Sequence, residues 1–137
     1  MKRYENIKVG DELPSLVSKP ISRTTLALFA GASGDHNPMH IDIDFVKKAG
    51  MDDVFAHGML SVAYLGRLLT GWVKQSAIKS IDVQFTSITQ LYAEIACSGV
   101  VKRKFEQGNG KLIEVSLSAI DQNDDTKIVG QAVIELD

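Results

Sequence analysis

The segment Gly58-Met59-Leu60-Ser61-Val62-Ala63-Tyr64-Leu65-Gly66-Arg67-Leu68-Leu69-Thr70-Gly71-Trp72 is apolar on nearly every face. A soluble helix with no polar side has to be buried on most sides, so the rest of the chain must wrap it. The residues that follow read as strands. Ile78 to Thr86 and Leu91 to Val101 are rich in β-branched and alternating residues. Gly108-Asn109-Gly110 signals a hairpin. Lys111 to Ile120 then alternates, with Leu112, Glu114, Ser116 and Ser118 set against Ile113, Val115, Leu117 and Ala119. Asp121 to Thr126 makes another turn, and Ile128 to Leu136 gives a final strand. Helices first and an antiparallel meander afterwards predict an α+β fold, a curved sheet wrapping one apolar helix.

Upstream, Leu13 to Ile21 reads as an extended piece interrupted by Pro14 and Pro20. Ser22 caps a helix whose buried face is Leu26, Phe29 and Ala30, ending in the small residues Gly31 to Gly34. Pro38 makes the next stretch a loop. Asp42 or Asp44 caps a short helix that stops at Gly50, and Asp52 to Ala56 reads as a connection.

A chain of 137 residues suits a single domain over 1–137, with enough length to bury a core. The formal charge of −2 supplies no basic field for nucleic acid, and the short Lys102-Arg103-Lys104 cluster reads as a solvated strand end. A single cysteine, Cys97, lies in an apolar run and reads as a small core residue. No apolar leader follows Met1, and the longest apolar run is too short to span a bilayer, so a cytoplasmic protein with no membrane partner is expected.

Chemistry concentrates between Gly34 and Gly58, which holds all three histidines, His36, His40 and His57, together with Asp35 and Asn37. Asp35 and His40 flank a loop turned by Pro38, so both side chains can converge on one point. A carboxylate beside an imidazole is a workable proton-handling pair; the same residues also fit a turn cap and a surface histidine. His36 and His40 have zinc-helix spacing, but Pro38 spoils it and no glutamate follows His36, so no metal is expected. A helix starting near His57-Gly58 would direct free N–H groups outward, where they could hold a carbonyl oxygen that gains charge, and Gly58 would let a substrate approach the backbone. No Gly-x-Ser-x-Gly elbow, Gly-x-Gly-x-x-Gly or P-loop occurs, so neither a serine nucleophile nor a nucleotide cofactor is expected.

The blocks Gly34-Asp35-His36-Asn37-Pro38-Met39-His40 and Ala56-His57-Gly58-Met59-Leu60 together resemble the MaoC-like dehydratases, especially the R-specific enoyl-CoA hydratases, whose pattern is G-D-x-N-P-[LIVM]-H followed by H-G-M-L. The resemblance implies a hot-dog fold, a long helix wrapped by an antiparallel sheet. It implies hydration of 2-enoyl thioesters with Asp35 and His40 as the acid–base pair. Asn37, His57 and Gly58 would serve substrate binding, Asn37 by fixing the loop and Gly58 by polarising the thioester carbonyl through its N–H. Partners would be an acyl-CoA or acyl-carrier-protein thioester and a second subunit, in a homodimer or dimer of dimers. Two departures stand out. The family's Phe-x-x-Pro-Val-x-x-Gly-Asp block corresponds to Phe85-Thr86-Ser87-Ile88-Thr89-Gln90-Leu91-Tyr92-Ala93, where only the phenylalanine is kept, and Gly66 stands where some members have a serine. An acyl thioesterase or a non-catalytic thioester-binding partner subunit is the competing reading; the His40 partner and the H-G-M-L block favour hydration.

Overall fold

The computed structural model describes residues 2–137. Five strands and three α-helices make up its regular structure: β1 (Leu16–Val17), α1 (Arg23–Ser33), α2 (Ile43–Lys48), α3 (Gly58–Thr70), β2 (Ile78–Phe85), β3 (Ala96–Gln107), β4 (Gly110–Ile120) and β5 (Thr126–Leu136). All the strands pair antiparallel in one sheet of order β1-β3-β4-β5-β2. Helix α3 packs on β2, β3, β4 and β5. This is the hot-dog layout, with the apolar helix held against a curled sheet.

The hairpin signal is realised closely. β3 ends at Gln107 and β4 begins at Gly110, with Gly108 at φ 59 supplying the left-handed residue that the tight turn needs. Along β4 the alternation becomes burial: Ile113, Val115, Leu117 and Ala119 face the core, and each is at most 2% exposed. They meet Leu65, Leu68 and Leu69 of α3 in one continuous hydrophobic cluster. Ser22 caps α1 through a 3.1 Å bond from the Thr25 N–H, a contact of about 1 kcal/mol. Asp42, rather than Asp44, caps α2, accepting from the Asp44 and Phe45 N–H groups.

Three expectations change. The second strand of the sheet's centre does not start at Leu91: β3 spans Ala96–Gln107, and Lys102 to Lys104 lie inside it, not at its end. Lys104 folds back over the N-terminal residues, donating to the carbonyls of Tyr4 and Ile7 at 2.6 and 2.7 Å. The strands are also not one continuous meander. β2 pairs with β5 at the far edge, so the chain from Thr86 to Ile95 has to cross from one side of the sheet to the other. Finally, α3 is not covered all round. Leu60, Ser61, Leu65, Leu68 and Leu69 are buried, but Met59, Ala63, Arg67 and Thr70 form an exposed stripe at helical spacing. A single sheet curls around only one side of a helix. Among the described residues, no helix is long and apolar enough to cross a membrane.

Candidate active site

Asp35 is placed by the end of α1. Gly34 adopts the left-handed conformation at φ 75 and its N–H closes the helix on the Ala30 carbonyl, so the chain turns sharply just before Asp35. Local side-chain bonds then shape the loop. The Asn37 N–H donates to Asp35 Oδ1 at 3.2 Å, and the Met39 N–H donates to Asn37 Oδ1 at 3.1 Å, capping a single 3₁₀ turn, Pro38–His40. Asn37 thus caps the turn that carries His40.

His40 is buried to 9% exposure, while the Asp35 side chain is about half exposed. The His40 Nδ1 lies 2.7 Å from the Phe55 carbonyl oxygen. A carbonyl only accepts, so Nδ1 carries a proton, and in the neutral ring Nε2 presents a lone pair. That Nε2 stands 3.9 Å from Asp35 Oδ2, beyond direct hydrogen-bond range and at a separation that a shared water fits.

His57, the residue preceding α3, is 1% exposed. Its Nε2–H donates to the Asp35 main-chain carbonyl at 3.1 Å, and its ring stacks on that of His40. Phe29 meets it edge-on with centroids 5.0 Å apart. Burial holds the His57 imidazole below the ordinary histidine range, opposed in part by the bond to Asp35. Its Nδ1, and the Ser61 Oγ one turn along α3, are buried without a hydrogen-bond partner. His57 thus clamps the Asp35 main chain and backs His40.

Gly58 opens α3, where the first N–H groups have no intrahelical acceptor. A cavity of about 470 Å³ reaches it, lined by Asp35, His57, Gly58, Met59, Phe85 and Ile88 among others. A second cavity of about 410 Å³, between α1 and α3, is lined by Phe29, Ser33, Asp35, Met59, Val62 and Ala63. The two share Asp35 and Met59. A side chain at position 58 would enter the first: a Cβ there would stand 2.7 Å from Phe85 Cε1.

The ligating atoms of Asp35, His40 and His57 all lie within 4.8 Å of one another, so the three site residues converge while His36 is exposed and outside the group. The cluster has the donor types a cation would use. Two of its four imidazole nitrogens, however, are already engaged by carbonyl oxygens. Cys97 offers no alternative nucleophile: it is fully buried, and burial pushes its thiol up to about 11.

The family model described as MaoC like domain matches residues 6–123. The chain belongs to the MaoC-like domain family. This MaoC-like chain is 36% identical over 66 residues to an (R)-specific enoyl-CoA hydratase of Rhodospirillum rubrum, an alignment covering 48% of this chain and 44% of that protein. It is 28% identical over 101 residues to a 3-hydroxybutyryl-CoA dehydratase of Methylorubrum extorquens, covering 68% and 63%. The chain spans between 6% and 63% of the length of the curated relatives it matches. Among solved structures, the unliganded R-hydratase PhaJ1 from Pseudomonas aeruginosa superposes with a TM-score of 0.85 at 22% identity, over 98% of this chain and 86% of that one. That likeness shows the fold.

Two features in and near the site had no sequence signal of their own kind. The Phe55 carbonyl that sets the His40 tautomer is a main-chain group in what reads as a mere connection; Phe55 in fact forms an isolated bridge with Gln90. Lys127, which falls between the turn read over Asp121 to Thr126 and the strand read from Ile128, is a buried residue of β5 at 3% exposure.

Proposed function

We propose that this chain hydrates trans-2-enoyl thioesters to (3R)-hydroxyacyl thioesters, and runs the reverse dehydration, with Asp35 and His40 as its acid–base pair. The observation that carries the reading is the pair itself: the Asp35 carboxylate, which lines a cavity that also reaches Gly58 at the start of α3, stands 3.9 Å from Nε2 of His40, whose Nδ1 is engaged by the Phe55 carbonyl. Both are hydrogen-bond acceptors, so together they hold the two hydrogens of one water. As the water oxygen bonds to C3, one of the pair takes its proton. The C2=C3 electron pair moves toward C2 and the thioester oxygen, whose growing charge the Gly58 N–H stabilises. The protonated member then delivers a proton to C2, and the pair ends as it began. His57 and Asn37 hold the loop, and the two cavities meeting at Asp35 and Met59 divide the acyl group from the carrier arm. Residues 1–137 act as one such unit, soluble in the cytoplasm and paired with a second copy. The carrier is coenzyme A or an acyl-carrier protein.

The test is loss of the conjugated enoyl absorbance of crotonyl-CoA, run beside a free-thiol assay, with Asp35→Asn as control. Loss of the band without thiol release, absent in the variant and unchanged by a chelator, is the expected outcome. Thiol release would replace hydration by thioester hydrolysis. Activity lost to the chelator and restored by zinc would replace the acid–base pair by a metal site at Asp35, His40 and His57.

A further inference from the structure

The connection that follows β2 forms one wall of the substrate cavity through Ser87, Ile88 and Thr89, yet it has no regular structure of its own between Phe85 and the Gln90 bridge. A buried ionic group holds it. Lysine is rarely buried unless its charge is paired, and the Lys127 side chain is 3% exposed. Its ammonium has three donors, and three acceptors surround it: Asp125 Oδ2 at 2.6 Å, the Ile88 carbonyl at 2.8 Å and Ser87 Oγ at 3.1 Å. Two of the three belong to the cavity wall. Asp121, whose side chain is 1% exposed, stands 3.4 Å from the same ammonium and accepts from Gln90 Nε2 at 2.8 Å. Ser87 Oγ also donates to Asp125 Oδ2 at 2.6 Å. On its other side the wall is tied to the residues before α3, because the Thr89 carbonyl accepts the Ala56 N–H at 2.8 Å.

We propose that Lys127 is a positioning residue for substrate binding, fixing the 86–90 segment as the cavity wall and, through the Thr89 carbonyl, the Ala56 main chain that leads into His57 and Gly58. A buried ion pair is weak as a source of stability, because desolvation offsets its attraction; a charge that spends two of its donors on one irregular segment selects that segment's conformation. Lys127 does not line the cavity, so its effect runs through the wall and not through a contact with substrate. The substrate-binding role rests on the proposed hydration; the positioning of the wall does not.

The experiment compares wild type, Lys127→Met and Asp125→Ala by amide hydrogen exchange at Ala56 and Val115 and by crotonyl-CoA hydration kinetics. In Lys127→Met the Ala56 amide exchanges about tenfold faster while that of Val115 in β4 is unchanged, and KM rises about tenfold with kcat within about threefold of wild type. Asp125, half exposed and outside the cavity, gives a smaller change in the same direction and decides alone if Lys127→Met fails to fold. Uniform acceleration of both amides, or no change at Ala56, overturns the proposal, as does an unaltered KM in a variant whose Ala56 exchange has risen. If the wild type hydrates nothing, the proposed activity falls, and the exchange comparison still decides whether Lys127 positions the wall.

Discussion

The His57 ring stacks on the His40 ring with centroids 3.9 Å apart and planes 28° from parallel. Two imidazoles in such contact cannot both carry charge cheaply, and the deeper burial of His57, with His40 beside it, lowers the His57 pKa. His57 donates only to the Asp35 carbonyl and lines the cavity beside Asp35, while His40 turns Nε2 toward the Asp35 carboxylate.

That division makes stability depend on pH. Burial lowers the His57 pKa from its ordinary 6.5. Below that value the unfolded chain binds a proton that the folded chain does not, so stability rises with pH through this window. His57 therefore contributes its full stability above about pH 6.5, and the contribution falls away as the pH drops toward the depressed folded value. Urea unfolding followed from pH 7.5 down to pH 5 should show this decline, and His57→Gln should flatten it. An equal slope in the variant would assign the decline to other groups.

Gly58 is held small by Phe85. Adding a Cβ at 2.7 Å from the Phe85 ring forces the ring or the start of α3 to move. Gly58→Ala is expected to cost about 1–3 kcal/mol of stability and to lower kcat/KM about a hundredfold by displacing the carbonyl-binding N–H. Phe85→Leu in the same chain should recover much of the lost stability. Full activity in Gly58→Ala would remove that N–H from the mechanism.

Gly66 behaves differently. It lies inside α3, and a Cβ built there meets nothing within 4 Å, so close packing does not explain the glycine. Gly66→Ala should raise unfolding free energy by about 1 kcal/mol in a urea titration, the ordinary helix-interior difference. A destabilised variant would show that the space is filled, by a partner subunit or a mobile side chain.

The site was legible where its geometry is local. Gly34, Asp35, Asn37, Pro38 and His40 shape one another through bonds two or three residues apart, so their spacing in sequence carries their spacing in space. The long-range partners were not legible. The Phe55 carbonyl and the Thr89 carbonyl are main-chain groups with no residue signature, and His57, although singled out as a substrate-binding residue, gives no sign in the sequence of its near-complete burial. For the fold, alternation located the core face of β4 without help, because that strand is paired on both sides and covered on one face by α3. It misplaced the start of β3, since Leu91, Ala93 and Ile95 alternate and are buried although they precede the strand. Lys127 fell between the turn read to Thr126 and the strand read from Ile128, and a lysine carries no sequence signal of burial; only its depth shows it.

The central claim is that Asp35 and His40 act as one unit on one water. Hydration of crotonyl-CoA by Asp35→Asn, His40→Gln and the double variant tests it most directly. The account predicts that each single change lowers kcat by about a thousandfold and that the double variant is no slower than the slower single one, as for groups that handle the same proton. Near-normal turnover in either single variant, or losses that multiply in the double, would contradict it.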